Sequence, residues 1–186
     1  MRDPAPTTLA RQWMGERSFL VEVGLVVAFS LFTGVLAHIV IHLPFTPVPV
    51  TGQTFGVLLC GALLGSRLGT ASMLAYIVEG TAGLPVFAPG TAGPATYGYL
   101  AGFVAAAFVV GWFADRGWTR DLLHTVVAMI AGEVAIYFFG LLWLAHLVPP
   151  SLVLVYGLYP FLIGDAIKLA AATAVLPAGW RLSRPR

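Results

Sequence analysis

Charged side chains are scarce in this sequence. Only 10% of its 186 residues are Asp, Glu, Lys or Arg, 59% are hydrophobic, and the mean hydropathy is +0.89. A soluble domain carries roughly 25% charged residues, so the composition excludes an ordinary soluble globular protein. A membrane-spanning helix needs about 20 apolar residues, and the chain is long enough for about six such helices with short loops. We therefore predict an all-α, polytopic membrane protein without an additional soluble domain.

Cysteine and lysine are almost absent, and each absence excludes a class of protein. Cys60 is the only cysteine, so an internal disulfide is impossible. Lys168 is the only lysine, and it does not lie in the G-x-x-x-x-G-K-[ST] pattern of an ATP-binding phosphate loop. Energy for any active transport must therefore come from a partner or from a gradient. Residues 1–17 lack the apolar segment and cleavage site of a signal peptide.

The distribution of arginine predicts the topology. Apolar stretches occupy residues 19–43, 53–65, 68–83, 97–114, 122–147 and 151–178. If the chain turns at 65–67, there are six spans and all nine arginines lie on one side, which the positive-inside rule assigns to the cytoplasm. A five-span alternative places Arg67 in the membrane, at a cost of at least about 2.5 kcal/mol.

We accordingly predict a six-helix transmembrane domain at 19–180 in the cell membrane, with cytoplasmic tails at 1–18 and 181–186. The domain contacts membrane lipid. Because the positive charge follows the topology, the net charge of +2 does not indicate a nucleic-acid partner. Two proline-rich segments, 43–52 and 83–94, connect spans on the outer side. Each is either a lid resting on the bundle or a stiff connector.

An acid and a base lie inside the last apolar stretch. Asp165 and Lys168 are three residues apart, which places them on one face of a helix. Ionisable groups within the membrane are costly and indicate a functional site. The alternative is a self-neutralising pair that only docks helices, as in a channel or a structural membrane protein. Glu133, within the fifth span, is equally costly unless it is paired.

The sequence does not predict an enzyme. Leu162-Ile163-Gly164-Asp165 looks like half of an intramembrane aspartyl protease site, but that chemistry needs a second aspartate within reach. The other aspartates lie outside the predicted spans, at positions 3, 115 and 121. His38 and His42 share a helix face without a further ligand at the spacing of a metal site. We predict neither a catalytic residue nor a metal or cofactor.

Six ordered segments are similar to one known family. They are residues 47–54 (PVPVTGQT), 83–88 (GLPVFA), 98–103 (GYLAGF), 114–118 (ADRGW), 136–141 (IYFFGL) and 159–168 (YPFLIGDAIK). The sequence resembles BioY, the biotin-specific substrate-binding (S) component of energy-coupling-factor (ECF) transporters. The resemblance covers about residues 44–178. It implies a six-helix bundle that binds biotin near its outer face, together with a transmembrane coupling (T) subunit and cytoplasmic ATPase subunits.

The resemblance also implies a set of binding residues. Asp165 and Lys168 match the acid and base of the family's site, and Tyr99 matches an aromatic residue. The stretch after Phe87 matches a ligand-contacting loop that is shorter here than usual, with Thr91 as its polar residue, and Glu133 stands where the family usually has asparagine. Together with Leu84 and Val86, the aromatic residues are expected to cover the biotin ring. A capture subunit for another vitamin remains an alternative because the loop differs. The predicted binding residues are Leu84, Val86, Phe87, Thr91, Tyr99, Glu133, Asp165 and Lys168.

Overall fold

The computed structural model of the protein describes residues 8–14, 18–90 and 93–182, and these residues are mostly helical. Short 3-10 turns cover Pro94–Thr96 and Trp118–Arg120, and two short antiparallel strands pair on the segment before the third helix. The elements in chain order are α1 (Leu9–Met14), α2 (Phe19–Ala37), β1 (Val40–Ile41), β2 (Val50–Thr51), α3 (Gln53–Leu64), α4 (Ser66–Thr81), α5 (Tyr97–Ala114), α6 (Leu122–Leu144), α7 (Pro150–Gly157) and α8 (Leu162–Leu182).

Three of the described helical segments are long and apolar enough to cross a membrane. They are Phe19–Ala37, Pro94–Ala114 and Leu122–Leu144. The bent pair α7 and α8 adds a fourth if it is taken as one span, and α3 is a shorter apolar helix. These segments make the chain a multi-pass membrane protein.

The second and third apolar stretches are separate helices, as predicted. The chain turns at Gly65, whose φ of 85° is a left-handed backbone conformation that favours glycine. The start of α4 is capped from another helix, because the backbone N–H and the hydroxyl of Ser66 donate to Asp115 at 3.0 and 2.5 Å. A carboxylate suits the positive end of the α4 dipole.

Hydrogen bonds show which helix ends lie together. Arg67 binds Glu22 at 2.8 Å, which joins the start of α4 to the start of α2. The indole N–H of Trp180 donates to Thr119 at 3.2 Å, which joins the end of α8 to the turn after α5. Together with the Asp115 cap, these contacts define one end of the bundle, which we call the arginine end.

The opposite end of the bundle, here called the loop end, carries the proline-rich connections. Thr46 donates to the carbonyl of Tyr156 at 2.8 Å, and Trp143 donates to the carbonyl of Pro94 at 2.7 Å. These bonds join the segment after α2 to α7 and the segment before α5 to the end of α6. Successive long helices therefore run in alternating directions between the two ends.

The last apolar stretch is broken, which corrects one expectation. Residues 151–178 are predicted from the sequence to form one span that contains Asp165. In the structure α7 ends at Gly157, α8 begins at Leu162, the two are bent by 41°, and Asp165 lies in the first turn of α8. Pro160 is the reason, because proline lacks a backbone donor and disfavours helical geometry at the preceding residue.

The predicted N-terminal tail contains a helix within its described part. In α1, Leu9 is buried, and a side chain added at Gly179 of α8 would lie 2.8 Å from it. This short helix therefore packs against the arginine end. Residues 1–7, 15–17 and 183–186, which include most of the two predicted tails, lie outside the described residues.

Candidate functional site

A cavity of about 910 Å³ opens at the loop end. This volume falls within the roughly 300–1,000 Å³ typical of small-molecule sites. Its wall combines the ends of α2 and α4, the starts of α3, α5 and α8, the middle of α6 and the segment after α4. The lining residues are His38, Val48, Pro49, Thr51, Gln53, Thr54, Ile77, Gly80, Thr81, Pro85, Phe87, Ala88, Pro89, Gly90, Thr96, Tyr97, Tyr99, Leu100, Ala101, Phe103, Ile136, Tyr137, Phe161, Asp165 and Lys168.

Four polar side chains form one cluster on this mostly apolar wall. The Lys168 ammonium donates to Oδ1 of Asp165 at 2.8 Å and to Thr54 at 2.9 Å. The Thr54 hydroxyl donates to the same carboxylate oxygen at 3.3 Å, and Tyr137 donates to the other one, Oδ2. Asp165 thus accepts three hydrogen bonds from three different helices.

The Asp165–Lys168 ion pair is buried but accessible from the cavity. The two side chains are 8% and 17% exposed, and both residues line the cavity wall. Removing charges from water is expensive, and such a pair persists only where additional hydrogen bonds satisfy its remaining donors and acceptors. Thr54 and Tyr137 supply those bonds. A ligand that carries both donors and acceptors can exchange with them.

A second chain of hydrogen bonds connects α3 to the segment after α4. Thr51 donates to the amide oxygen of Gln53 at 2.8 Å, and the amide nitrogen of Gln53 donates to the Tyr76 hydroxyl at 2.6 Å. Tyr76 in turn donates to the backbone carbonyl of Val86 at 3.1 Å. The ring of Phe87 packs edge-on against Tyr76, with centroids 5.4 Å apart. This chain fixes the cavity wall around Phe87.

Hydrogen bonds also hold the rest of the described segment between α4 and α5 against the bundle. The backbone N–H of Leu84 donates to the backbone carbonyl of Glu79 at 3.0 Å, and the ring of His42 hydrogen-bonds the carbonyl of Pro89 at 3.1 Å. The Trp143–Pro94 bond closes the segment at its other end. The described part of this connection is therefore fixed to the bundle by side chains and backbone along its length.

The eight predicted residues fall into three groups. Asp165, Lys168, Phe87 and Tyr99 line the cavity together, and the Tyr99 hydroxyl donates to the Gly157 carbonyl at 2.8 Å. Thr91 lies outside the described residues.

The remaining three do not reach the cavity wall. Leu84 is half-exposed on the outside of its segment. Val86 is buried against α2, where a side chain added at Gly34 would lie 3.0 Å from its Cβ. Glu133 is buried in α6, and neither of its carboxyl oxygens has a hydrogen-bond partner among the described residues.

Sequence reasoning missed Thr54, Tyr137 and Gln53. All three lie in segments that carry the family resemblance, and each is a polar residue in an otherwise apolar helix. Tyr137 also follows Glu133 by four residues, which places both on one face of α6. The spacing was therefore a usable signal for Tyr137, whereas the contacts of Thr54 and Gln53 depend on the packing of α3 against α4 and α8.

Comparison with known proteins supports the resemblance found in the sequence. The sequence model of the BioY family matches residues 10–185. The chain belongs to the BioY family. A probable biotin transporter BioY of Pyrococcus horikoshii is 39% identical over 162 residues, which covers 84% of this chain and 93% of that protein. The biotin transporter BioY of Rhizobium etli is 34% identical over 166 residues, covering 82% and 88% of the two chains.

A solved structure shares the fold. It is the crystal structure of the S-component for biotin from an ECF-type ABC transporter, which matches with a TM-score of 0.74 and 25% sequence identity. The match covers 92% of this chain and 96% of that one. The family assignment and the shared fold therefore extend over nearly the whole sequence.

Proposed function

We propose that this protein is the biotin-capture subunit of an ECF-type uptake transporter, and that biotin binds in the cavity at the loop end. The single observation that carries the site is the Asp165–Lys168–Thr54–Tyr137 cluster on the wall of that cavity. Biotin transporters and the biotin S-component are the proteins that the chain is similar to. The protein is a substrate-binding subunit without catalytic activity.

The chemistry of the cluster suits biotin. The ureido ring of biotin has two N–H donors and one carbonyl acceptor, the thiophane ring is apolar, and the valeryl tail ends in a carboxylate. Asp165 accepts from a ureido N–H, while Lys168 donates to the ureido carbonyl or attracts the tail. Phe87 and Tyr99 cover the apolar ring. Because the cavity wall is mostly apolar, these few polar contacts are stronger than they are in solution.

The remaining predicted residues take supporting places in this proposal. Leu84 and Val86 shape the segment that carries Phe87, and Thr91 supplies a polar group from the same segment. Glu133 is buried in α6 outside the cavity lining and influences biotin binding through its charge state. None of these four is proposed to form the principal polar contact with biotin.

The proposed topology has six spans, with both termini in the cytoplasm and the protein in the cell membrane. Arg67, Arg116 and Arg120 lie near the ends of helices at the arginine end, which supports a cytoplasmic orientation of that end. The loop end, with the cavity, then faces outward. A transmembrane coupling subunit and cytoplasmic ATPase subunits are the proposed partners that release biotin to the inside in an ATP-driven cycle.

A binding isotherm tests the proposed function. We expect purified protein in detergent to bind biotin at one site, and Asp165→Asn to weaken binding at least about 100-fold, because the ureido donors lose an anionic acceptor. Titrations with thiamin and riboflavin test a capture subunit for another vitamin. Binding of neither biotin nor these vitamins by folded protein would leave the alternative in which the pair only docks helices.

A further inference from the structure

Two buried carboxyl groups near the cavity have opposite surroundings. Asp165 accepts hydrogen bonds from Lys168, Thr54 and Tyr137. Glu133 lies one turn before Tyr137 on α6 and is only 7% exposed. Both of its carboxyl oxygens are inaccessible to solvent and lack a partner among the described residues. Asp165 is therefore stabilised by three hydrogen bonds, whereas Glu133 has none among the described residues.

This difference determines which of the two carboxyls is ionised. An isolated carboxylate in an apolar interior costs several kcal/mol, whereas a neutral carboxylic acid there costs much less. The charge of Asp165 acts on Glu133 and adds like-charge repulsion, while Lys168 acts in the opposite sense. Two neighbouring carboxyls with such different surroundings take different protonation states. These surroundings favour the ionised form of Asp165 and the neutral form of Glu133.

No other described cation compensates an ionised Glu133 at this depth. Lys168 is already shared between Asp165 and Thr54. Arg120 lies at the arginine end, over the ring of Trp180. The other titratable groups near Glu133 lie on α6 and on the described elements packed against it. On α6 and in the turn before it they are Tyr137, His124, Arg120 and Asp121. On the neighbouring helices they are Tyr97 and Tyr99 on α5 with Asp115 at its end, Tyr156 on α7, Asp165 and Lys168 on α8, and Cys60 on α3.

Biotin adds a further negative charge to this region. Its aliphatic carboxyl, like that of glutamic acid, is ionised well above about pH 4.3. With Glu133 neutral, Asp165, Lys168 and biotin together carry one net negative charge. With Glu133 ionised they carry two, in a cavity where charge is poorly screened. The neutral form of Glu133 is therefore the form that suits an anionic ligand.

We propose that Glu133 is a proton-holding residue of the biotin site and that biotin binds to the protein in which this side chain is neutral. The inference rests on the proposed function. Where alkaline pH has removed the proton, each biotin anion that binds is accompanied by one proton from solution, which returns to a carboxylate oxygen of Glu133. Glu133 acts through the charge balance of the site and does not contact the ligand.

Calorimetry at several pH values tests this linkage. Biotin is titrated into the purified protein between about pH 6 and pH 9.5, each time in two buffers of different ionisation enthalpy, which yields the affinity and the protons taken up per biotin. We expect proton uptake to rise from near zero toward one with increasing pH. We expect the affinity to fall by up to about tenfold per pH unit above the titration of Glu133.

Substitutions identify the responsible group. Glu133→Gln is uncharged at every pH, so its biotin affinity should no longer fall between neutral and alkaline pH. Glu133→Asp retains a titratable group and should retain the pH dependence. Glu79→Gln is the matched control. Glu79 also has a buried oxygen without a partner among the described residues. It accepts a hydrogen bond from Ser30 on α2 at 2.7 Å and is not on the cavity wall, so its replacement should leave the profile unchanged.

The outcomes are distinguishable. An identical pH profile in the unmodified protein and Glu133→Gln overturns the inference and leaves the proposed function intact. Absence of biotin binding at every pH overturns the proposed function and the inference with it. If Glu133→Gln does not fold, the proton count of the unmodified protein decides, because a count of zero across the whole range contradicts proton-linked binding.

Discussion

The two ends of the bundle each contain a lysine or arginine paired with a carboxylate at the same distance. Arg67 binds Glu22 at 2.8 Å at the arginine end, and Lys168 binds Asp165 at 2.8 Å beside the cavity. The arginine side chain is 77% exposed, whereas the lysine is 17% exposed. Exposed pairs contribute about 0–1 kcal/mol, but removing one partner of a buried pair costs about 3–5 kcal/mol. Two ion pairs with the same N···O distance therefore differ in the free energy lost when one partner is removed, because one is exposed and the other is buried.

The largest expected difference comes from removing each cation. Lys168→Met leaves the Asp165 carboxylate without a counter-ion, so we expect biotin affinity to fall at least about 100-fold and thermal stability to decrease. Arg67→Met removes a solvated pair and should change biotin affinity less than about twofold. Calorimetry and thermal unfolding in detergent measure both effects.

The double variant Asp165→Asn/Lys168→Met separates binding from folding. It removes both charges together, so it should recover most of the lost stability without recovering biotin binding. Biotin binding by this variant would mean that the pair only joins helices. Comparable losses of affinity in Lys168→Met and Arg67→Met would remove the distinction between the two ends.

The next effect concerns a hydroxyl donor to the buried carboxylate. Tyr137→Phe deletes one of the three donors to Asp165, and hydrogen bonds to charged groups contribute about 1.5–3 kcal/mol. We expect biotin affinity to fall roughly tenfold or more by calorimetry. Tyr159→Phe makes the same chemical change on an exposed ring that is not on the cavity wall and should have no effect. Equal affinities for the two variants contradict the role given to Tyr137.

A smaller effect is expected where the loop is fastened. His42→Ala removes the hydrogen bond to the Pro89 carbonyl, which is worth about 0.5–1.5 kcal/mol. We expect biotin to dissociate a few times faster, as measured by competition with labelled biotin, because the cavity wall is held less firmly. His124→Ala at the arginine end should leave the rate unchanged, although it loses its contact with Asp121 at 2.7 Å.

The smallest effect is expected at the exposed start of α6. The backbone N–H of His124 donates to Asp121, and with the His124 side chain it holds the pKa of this carboxyl below its usual 3.8. A lowered folded-state pKa stabilises the folded protein above about pH 3.8, and this contribution disappears as the pH falls through the lowered pKa. Asp121→Asn keeps a capping side chain without the charge. Its melting temperature should be slightly below that of the unmodified protein at neutral pH, and the difference should vanish in acid, with biotin binding unaffected.

The sequence predicted the helices because their signals are local. The turn at Gly65 and the charge pattern around Arg67 identified a hairpin that hydropathy alone would have merged into one helix. Gly98 and Gly102 are four residues apart, a spacing that allows helices to pack closely, and a side chain added at Gly102 would lie 2.8 Å from Ile136 on α6. Gly24 has the same spacing to Ala28, yet a side chain added at Gly24 would have no contact within 4 Å among the described residues outside its own turn of helix. Spacing identifies surfaces that allow close approach, but the fold decides which of them are used.

The site was predicted in part for a related reason. Asp165 and Lys168 lie on one helix, so three residues of spacing sufficed to place them together. Thr54 is more than 100 positions away in the sequence, and its two contacts with the pair exist only because α3 packs against α8. The positions of Leu84 and Val86 depend on the path of the segment after α4, in which Leu84 is exposed and Val86 is buried against α2. Such tertiary arrangements leave no periodic pattern in the sequence.

The break between α7 and α8 has an electrostatic consequence. In a continuous helix Asp165 would lie in the interior, where the backbone groups are already paired and the helix dipole does not stabilise a carboxylate. Because α8 begins at Leu162, the first-turn Asp165 lies at the positive end of a new helix dipole beside the cavity. A negative charge in that position gains about 0.3–1 kcal/mol, and more where it is partly buried. By breaking the helix, Pro160 leaves the backbone N–H groups at the start of α8 as a partial positive charge beside Asp165. This partial charge needs no ionisable side chain and does not change with pH.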